Sequence, residues 1–338
     1  MEKYPLIGKC LAVGIILLFI GTYIIPSGTS EQTRGKHVIT VDDEPGDADY
    51  TSIGEALNHS SPGDSIQVYS GQYREHGLLV TVEGLSFIGV AQELGNGSDT
   101  GRPFIDGQGL ANVFDVYAPN VTITGFSMTN NGPGAYEVIV AYPGADGCVI
   151  SDNDLRNSIM AVISCVANNS KIINNTVSNV RDFRQGIGIG GGSHPGSDHT
   201  LVADNEVFGV RYGISVWGGV NATITRNYVH DCYDIGLDLG GGGLNITITY
   251  NTVENNPTGI YLMGAQNRVV RNNFINNTQE AYFGQVAHYP MNHWLFNYWN
   301  HTRLLPYPVF GCYGWVFIPW IQWDWRPALK PYDIPAMK

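Results

Sequence analysis

The chain has 338 residues, with 18 Lys and Arg against 30 Asp and Glu and a formal net charge of −12, which excludes the basic footprint of a nucleic-acid partner. Charged residues make up only 14% while glycines number 42, a composition of turns and small outward side chains that excludes a fold dominated by solvated helices. The length matches two average domains, but a solenoid uses such a length as one continuous core.

At the N-terminus, Lys3 and Lys9 precede an apolar run from Cys10 to Ile25 that Pro26, Ser27 and Gly28 close. This pattern predicts a signal peptide over residues 1–30 and a secreted or cell-surface protein. The run is shorter than the roughly 20 residues of a comfortable spanning helix. An uncleaved signal anchor is the alternative, and the only membrane contact expected. Cys148, Cys165, Cys232 and Cys312 follow, an even number in a chain bound for an oxidising compartment, and read either as disulfide partners or as small buried hydrophobes. Their spacing does not suit a metal site.

Asp42, Asp43, Glu44, Asp47 and Asp49 form an acidic cluster read as a solvated loop, with Ca²⁺ ligation the alternative. Ser52-Ile53-Gly54-Glu55 has capping-box spacing, and Ile53, Ala56 and Leu57 form the apolar stripe of one short helix lying over the first coil. Pro62-Gly63-Asp64 then turns the chain into a strand over Ser65 to Tyr69, and the runs 104–107 and 121–128 read as early, irregular coils.

From residue 150 onward a pattern of apolar, two variable, Asn, one variable, apolar recurs: Ile150 to Leu155, Ile172 to Val177, Val202 to Val207, Ile224 to Val229, Ile248 to Val253 and Val270 to Ile275. Its asparagines, at 153, 175, 205, 227, 251 and 273, stand 22, 30, 22, 24 and 22 residues apart. A period near 22 with short β-rich runs predicts a coil of parallel strands stacked about 4.8 Å apart, with the asparagines as an inward ladder of amides at a turn. The fold class is therefore all-β, a right-handed parallel β-helix solenoid.

A second strand follows each motif. Alternation puts Ile187, Ile189, Ile214, Val216, Leu237, Leu239, Ile260 and Leu262 inward, and Gly188, Ser215, Asp238 and Tyr261 outward. The longer step after Asn175 accommodates a protruding loop over 190–196. Residues 289–338 gather six tryptophans after the repeat fades, and Pro306, Pro308, Pro319, Pro327, Pro331 and Pro335 preclude a long helix, which predicts an irregular aromatic cap containing a hairpin. The division expected is a signal segment over 1–30, the β-helix over 31–288 and the cap over 289–338.

The stretch Val41-Asp42-Asp43 through Asp49-Tyr50-Thr51-Ser52-Ile53-Gly54-Glu55-Ala56-Leu57, then Pro62-Gly63-Asp64-Ser65-Ile66 and Gly71-Gln72-Tyr73-Arg74-Glu75, resembles the opening of pectin-lyase-like proteins. The asparagine repeats resemble the NosD-type subgroup. The resemblance implies an exported β-helix but leaves activity open, because the superfamily hosts lyases, hydrolases, esterases, epimerases and proteins without known activity. The Asn-Thr-Asp, paired-Asp and Gly-His-Gly set of polygalacturonases is missing, as is the Asp-Pro-His of mannuronan epimerases. The copper-site assembly associated with NosD itself finds no support in six scattered methionines.

Outward positions on successive coils carry the candidate site. Trp217, Asp238 and Tyr261 place a carboxylate between two aromatic faces, a surface suited to a sugar ring and its hydroxyls. The preceding turn adds Arg181, Asp182, Arg184, Arg211, Tyr212, His230, Asp231 and Asp234. In this reading Arg211 or Arg184 holds a uronate carboxylate while His230 or a raised-pKa carboxyl moves a proton. The candidate catalytic set is thus Arg211, His230, Asp234 and Asp238, and the candidate binding set is Arg181, Arg184, Tyr212, Trp217 and Tyr261. Asp231, Asp234 and Asp238 are alternatively oxygen ligands for Ca²⁺. The function expected is polysaccharide binding; the alternatives are a lyase or glycoside hydrolase acting on an acidic glycan and a passive cell-envelope protein.

Overall fold

A computed structural model describes residues 36–132, 134, 136–159, 161–178, 185–191, 197–285, 291–314 and 318–334. The expected signal segment, residues 1–30, lies outside the described residues. No helix among the described residues is long and apolar enough to cross a membrane.

Residues 36 onward form a parallel β-solenoid of about 11 turns with almost no helix. Each turn contributes three short strands, as in Leu201–Ala203, Glu206–Phe208 and Tyr212–Val216, which pair in parallel with Thr223–Thr225, Tyr228–His230 and Ile235–Leu239. The pairing is in register over many coils, so inward side chains form columns: Val202, Ile224, Ile248 and Val269 on one face; Val207, Val229, Val253 and Phe274 on the second; Ile214, Leu237, Ile260 and Ala281 on the third. All eight residues expected inward from alternation are fully buried. A buried Val, Ile or Leu contributes about 1.5–3 kcal/mol by leaving water, so these columns dominate the stability.

The asparagine ladder runs as expected through Asn153, Asn175, Asn205, Asn227 and Asn251: each Nδ2 donates to the next Oδ1, which also accepts the previous residue's backbone N–H. The sixth rung is Asn272 rather than Asn273. Val269, not Val270, pairs with Ile248, so the motif starts one residue earlier. Asn273 instead opens the next strand and bonds Tyr332. The residue before each rung holds the left-handed conformation: Asp152, Asn174, Asp204, Arg226, Tyr250, Arg271 and Phe296 all have φ of 55–60°. That conformation costs a non-glycine residue about 1 kcal/mol, which the ladder's hydrogen bonds offset.

The repeat does not stop at 289. His293–Leu295 and Tyr298–Trp299 form a further coil, paired in parallel with Arg268–Val270 and Asn273–Ile275, and the ladder passes through Asn297 to Asp324. The cap proper is the antiparallel hairpin of Tyr307–Tyr313 with Ile318–Asp324. At the other end, the helix Ile53–Asn58 buries Ile53, Ala56 and Leu57 as expected, and Ser52 caps it by accepting from Glu55 N–H. The carboxylate that reaches back to the helix N-terminus belongs to Glu75 of the following coil, which accepts from Ile53 and Gly54 N–H at 2.7 and 2.8 Å.

Gly186, Gly213, Gly236 and Gly259 stack where the chain turns into the long strands, facing the core. A Cβ on Gly213 would stand 2.4 Å from both Gly236 O and Val229 Cγ1. Gly213→Ala is expected to lower the urea midpoint by the equivalent of about 2 kcal/mol, the cost of forcing a methyl into a filled core. An unchanged midpoint would mean that this corner yields.

All four cysteines are free thiols, three of them buried, so the disulfide reading is set aside in favour of small core residues. Burial pushes the Cys148 and Cys165 thiols up to about 12 and about 11.

Candidate functional site

The register aligns Ser164, Gly188, Ser215, Asp238, Tyr261, Tyr282 and Phe310 as one outward row along the solenoid. Its centre is nevertheless covered. Ser215 is buried, and Asp238 is only 5% exposed although Leu237 and Leu239 on either side of it face the core. Asp238 Oδ1 accepts from Gly240 N–H at 2.9 Å. Burial pushes the Asp238 carboxyl above its ordinary value, and the nearby charge of Asp234 adds to the rise. The Ser215 hydroxyl is buried with no hydrogen-bond partner.

Two glycines make the floor between the aromatic rings. A Cβ on Gly240 would lie 2.8 Å from Asp238 Oδ1 and 3.3 Å from Tyr261 Cε1, and one on Gly241 would lie 2.5 Å from Trp217 Cα and 3.0 Å from its Cγ. Tyr261 and Trp217 therefore flank the Gly240–Gly241 pair with Asp238 beside it. Trp217 is 40% exposed, leaving ring surface for a ligand. Tyr261 stacks on Tyr282, centroids 5.7 Å apart, and the Tyr282 hydroxyl donates to Cys312 Sγ.

At the edge of this row Arg211 Nε donates to Asp234 Oδ2 at 3.1 Å, and the Arg211 guanidinium lies 5.0 Å from the Tyr212 ring centroid. The pair is half-exposed and worth no more than about 1 kcal/mol. Burial raises the Tyr212 hydroxyl; Arg211 opposes that rise, while Asp234 and Asp238 reinforce it.

Of the candidate residues, the structure brings together Arg211, Tyr212, Trp217, Asp234, Asp238 and Tyr261. His230 does not join them. It lies within the strand Tyr228–His230 of the ten-stranded sheet, stacked on Phe208 and Tyr228 at 5.0 and 4.1 Å. Its Nδ1 is 2.7 Å from Asp231 Oδ2 and its Nε2 is 3.4 Å from Glu206 Oε1. Val229 takes the inward position, and the corner at Cys232 separates His230 from the strand that carries Asp238. Asp231 goes with His230, so Asp231, Asp234 and Asp238 do not converge as ligands of one ion among the described residues. Arg181, Arg184 and most of the expected loop, at 192–196, lie outside the described residues.

Sequence reasoning missed Tyr282, which extends the aromatic row, and Gln185, whose amide crosses Gly188: a Cβ there would be 2.1 Å from Gln185 Oε1. Continuing the outward register one coil beyond Tyr261 leads to Tyr282. The acidic cluster is the solvated loop expected only in part: Asp47 and Asp49 are exposed, but Asp42 is not. Asp42 is 0% exposed, and its carboxyl is pushed up to about 6, first by burial and then by the charges of Glu93, Asp43 and Asp47. Loss of solvent and the neighbouring Asp43 likewise push Glu44 up to about 7.

The family described as "Right handed beta helix region" matches residues 161–289. No curated protein matches. Among solved structures, the Dettilon tailspike protein (gp208) is 14% identical with a TM-score of 0.51, over 77% of this chain and 61% of that one. This chain thus spans about three-fifths of the tailspike's length. The lacto-N-biosidase of Eubacterium ramulus is 13% identical with a TM-score of 0.47, over 76% and 65% of the two chains. The A-module of the Azotobacter vinelandii mannuronan C-5 epimerase AlgE4 is 14% identical with a TM-score of 0.44, over 65% and 72%. The family match and the tailspike likeness bear out the fold read from the sequence, a right-handed parallel β-helix.

Proposed function

We propose that the row centred on Asp238 binds a polysaccharide outside the cytoplasm. The observation that carries the reading is the pair of aromatic side chains, Trp217 and Tyr261, set either side of a glycine floor with a buried carboxyl beside it. Aromatic side chains beside small glycines leave room for a sugar ring, and a recessed carboxyl accepts its hydroxyls with little competition from water. The extracytoplasmic location rests on the N-terminal apolar run behind Lys3 and Lys9.

The test is retention of the full chain on a panel of acidic and neutral polysaccharides. Trp217→Ala and Tyr261→Ala are each expected to weaken binding by about 10-fold, the scale of one lost ring contact. Asp238→Asn is expected to weaken binding without unfolding the chain. No retention on any polysaccharide, or binding indifferent to the double aromatic variant, would refute the reading and favour a passive envelope protein.

A second reading, a lyase or glycoside hydrolase, is favoured by one observation: the raised carboxyl of Asp238 lies close to Asp234, the partner of Arg211, in the arrangement of a proton-transferring group near an anion-holding one. Release of unsaturated or reducing ends, abolished by Asp238→Asn, would establish it.

A further inference from the structure

The N-terminal acidic cluster lies among the first coils, on residues distinct from those of the Asp238 row. Two loops build it, each closed at its neck. Residues 42–49 are closed by the Val41–Tyr50 bridge and by Asp42 N–H donating to Tyr50 O; residues 93–99 are closed by the Gln92–Thr100 bridge. They meet where Asn96 N–H donates to Asp47 Oδ2 at 3.3 Å. Carboxylate oxygens of Asp42, Asp43 and Glu44 lie within 4.8 Å of one another, and so do those of Glu44, Glu93 and Asp99, with Glu44 common to both sets.

The decisive feature is that four of these oxygens are buried and unpartnered. Asp42 is wholly buried, and neither of its oxygens has a hydrogen-bond partner; Asp43 Oδ1 and Glu44 Oε2 are in the same state. Among the described residues no Lys, Arg or His forms an ion pair with Asp42, Asp43, Glu44, Glu93 or Asp99. An isolated carboxylate taken out of water is expensive, and three converging ones more so, unless a cation compensates them. The backbone is also shaped to admit them. A Cβ on Gly71 would stand 2.0 Å from Asp43 Oδ1, so only glycine leaves room for that carboxylate, whose Oδ2 accepts from Gln72 N–H.

We propose that Asp42, Asp43 and Glu44, with Glu93 and Asp99 on the opposite loop, hold a Ca²⁺ ion that staples the two loops together. Ca²⁺ takes 6–8 oxygens at about 2.4 Å, so oxygens sharing one ion stand no more than about 4.8 Å apart, a condition that each of the two sets meets. Mg²⁺ demands a tighter octahedron and keeps several waters, and an all-oxygen set without His or Cys disfavours zinc and copper.

Calcium titrated calorimetrically into the full chain, previously treated with a chelator, tests the proposal. Saturable binding and a rise in Tm of several degrees are expected, because a ligand that binds only the folded state stabilises it. Asp42→Asn should abolish both responses, and in calcium-free buffer it should melt above the parent chain, since it relieves the repulsion among uncompensated charges. Should that variant fail to fold, Glu44→Gln, on a less buried residue, is expected to weaken binding at least tenfold. Asp231→Asn, on the ten-stranded face, should bind like the parent chain. No calcium-dependent heat or Tm shift, calcium binding unaffected by both cluster variants, or Mg²⁺ binding as tightly as Ca²⁺ would each overturn the proposal.

Discussion

Replacing Asn227 by alanine is expected to cost about 4 kcal/mol. Its Oδ1 accepts from the backbone N–H and the Nδ2 of Asn205, and its Nδ2 donates to Val202 O, Thr225 O and Asn251 Oδ1. Alanine leaves the Asn205 N–H buried without an acceptor and takes a donor from the Val202 and Thr225 carbonyls, each loss costing about 1–3 kcal/mol. It also leaves Arg226 in the left-handed conformation without the contacts that offset its cost. Urea unfolding followed by circular dichroism measures the loss. Asn245, which donates to Asn221 on the surface, is the matched control, and its alanine variant should change stability by less than about 0.5 kcal/mol. A loss below about 1 kcal/mol at Asn227 would mean that water or a shifted neighbour replaces the amide and that the ladder is not a main determinant of the fold.

The architecture was legible because a solenoid writes its geometry into the sequence at short range. Period-two alternation in the long strands named the inward residues, and the recurring asparagine gave the coil length. What escaped was phase and extent. Asn272 and Asn273 are adjacent, and spacing alone favoured the second; only the pairing of Val269 with Ile248, together with the left-handed Arg271, fixes the first. The last coil was hidden by a change of residue type. Trp294 continues the Val269 column and Trp299 the Phe274 column, so tryptophans that suggest an irregular cap are core residues.

The candidate face is legible to the extent that register dictates it: alternation alone aligns Ser215, Asp238 and Tyr261. The grouping of His230 with them failed because whether residues around a corner share a groove depends on how the chain turns, and the corner at Cys232 places His230 on a different sheet. The acidic loop was opaque for a different reason. Five carboxylates within eight residues look solvated, and nothing local shows that a loop about fifty residues later closes over them.

The ladder's end makes a counterintuitive prediction: restoring the repeat's own residue there, Asp324→Asn, should destabilise the protein by about 3 kcal/mol. Every internal rung needs both a donor and an acceptor, because it receives from one coil and donates to the next. The last rung has no further coil to donate to. Asp324 is fully buried and only accepts: Oδ2 takes the Asn297 N–H, Asn297 Nδ2 and Trp299 Nε1, and Oδ1 takes the Phe296 and Arg326 N–H groups at 3.1 Å each. An amide has one oxygen. In one orientation its NH₂ faces the N–H groups of Phe296 and Arg326; flipped, it faces the three donors of Asn297 and Trp299. Either way at least two donors lose their acceptor, the part-buried N–H groups of Phe296 and Arg326 in the first case and the buried donors of Asn297 and Trp299 in the second, at about 1–3 kcal/mol each. Urea midpoints of the two proteins settle it. Equal stability would show that the cap reorganises around an amide, and that the carboxylate is not required by its position as the terminal acceptor.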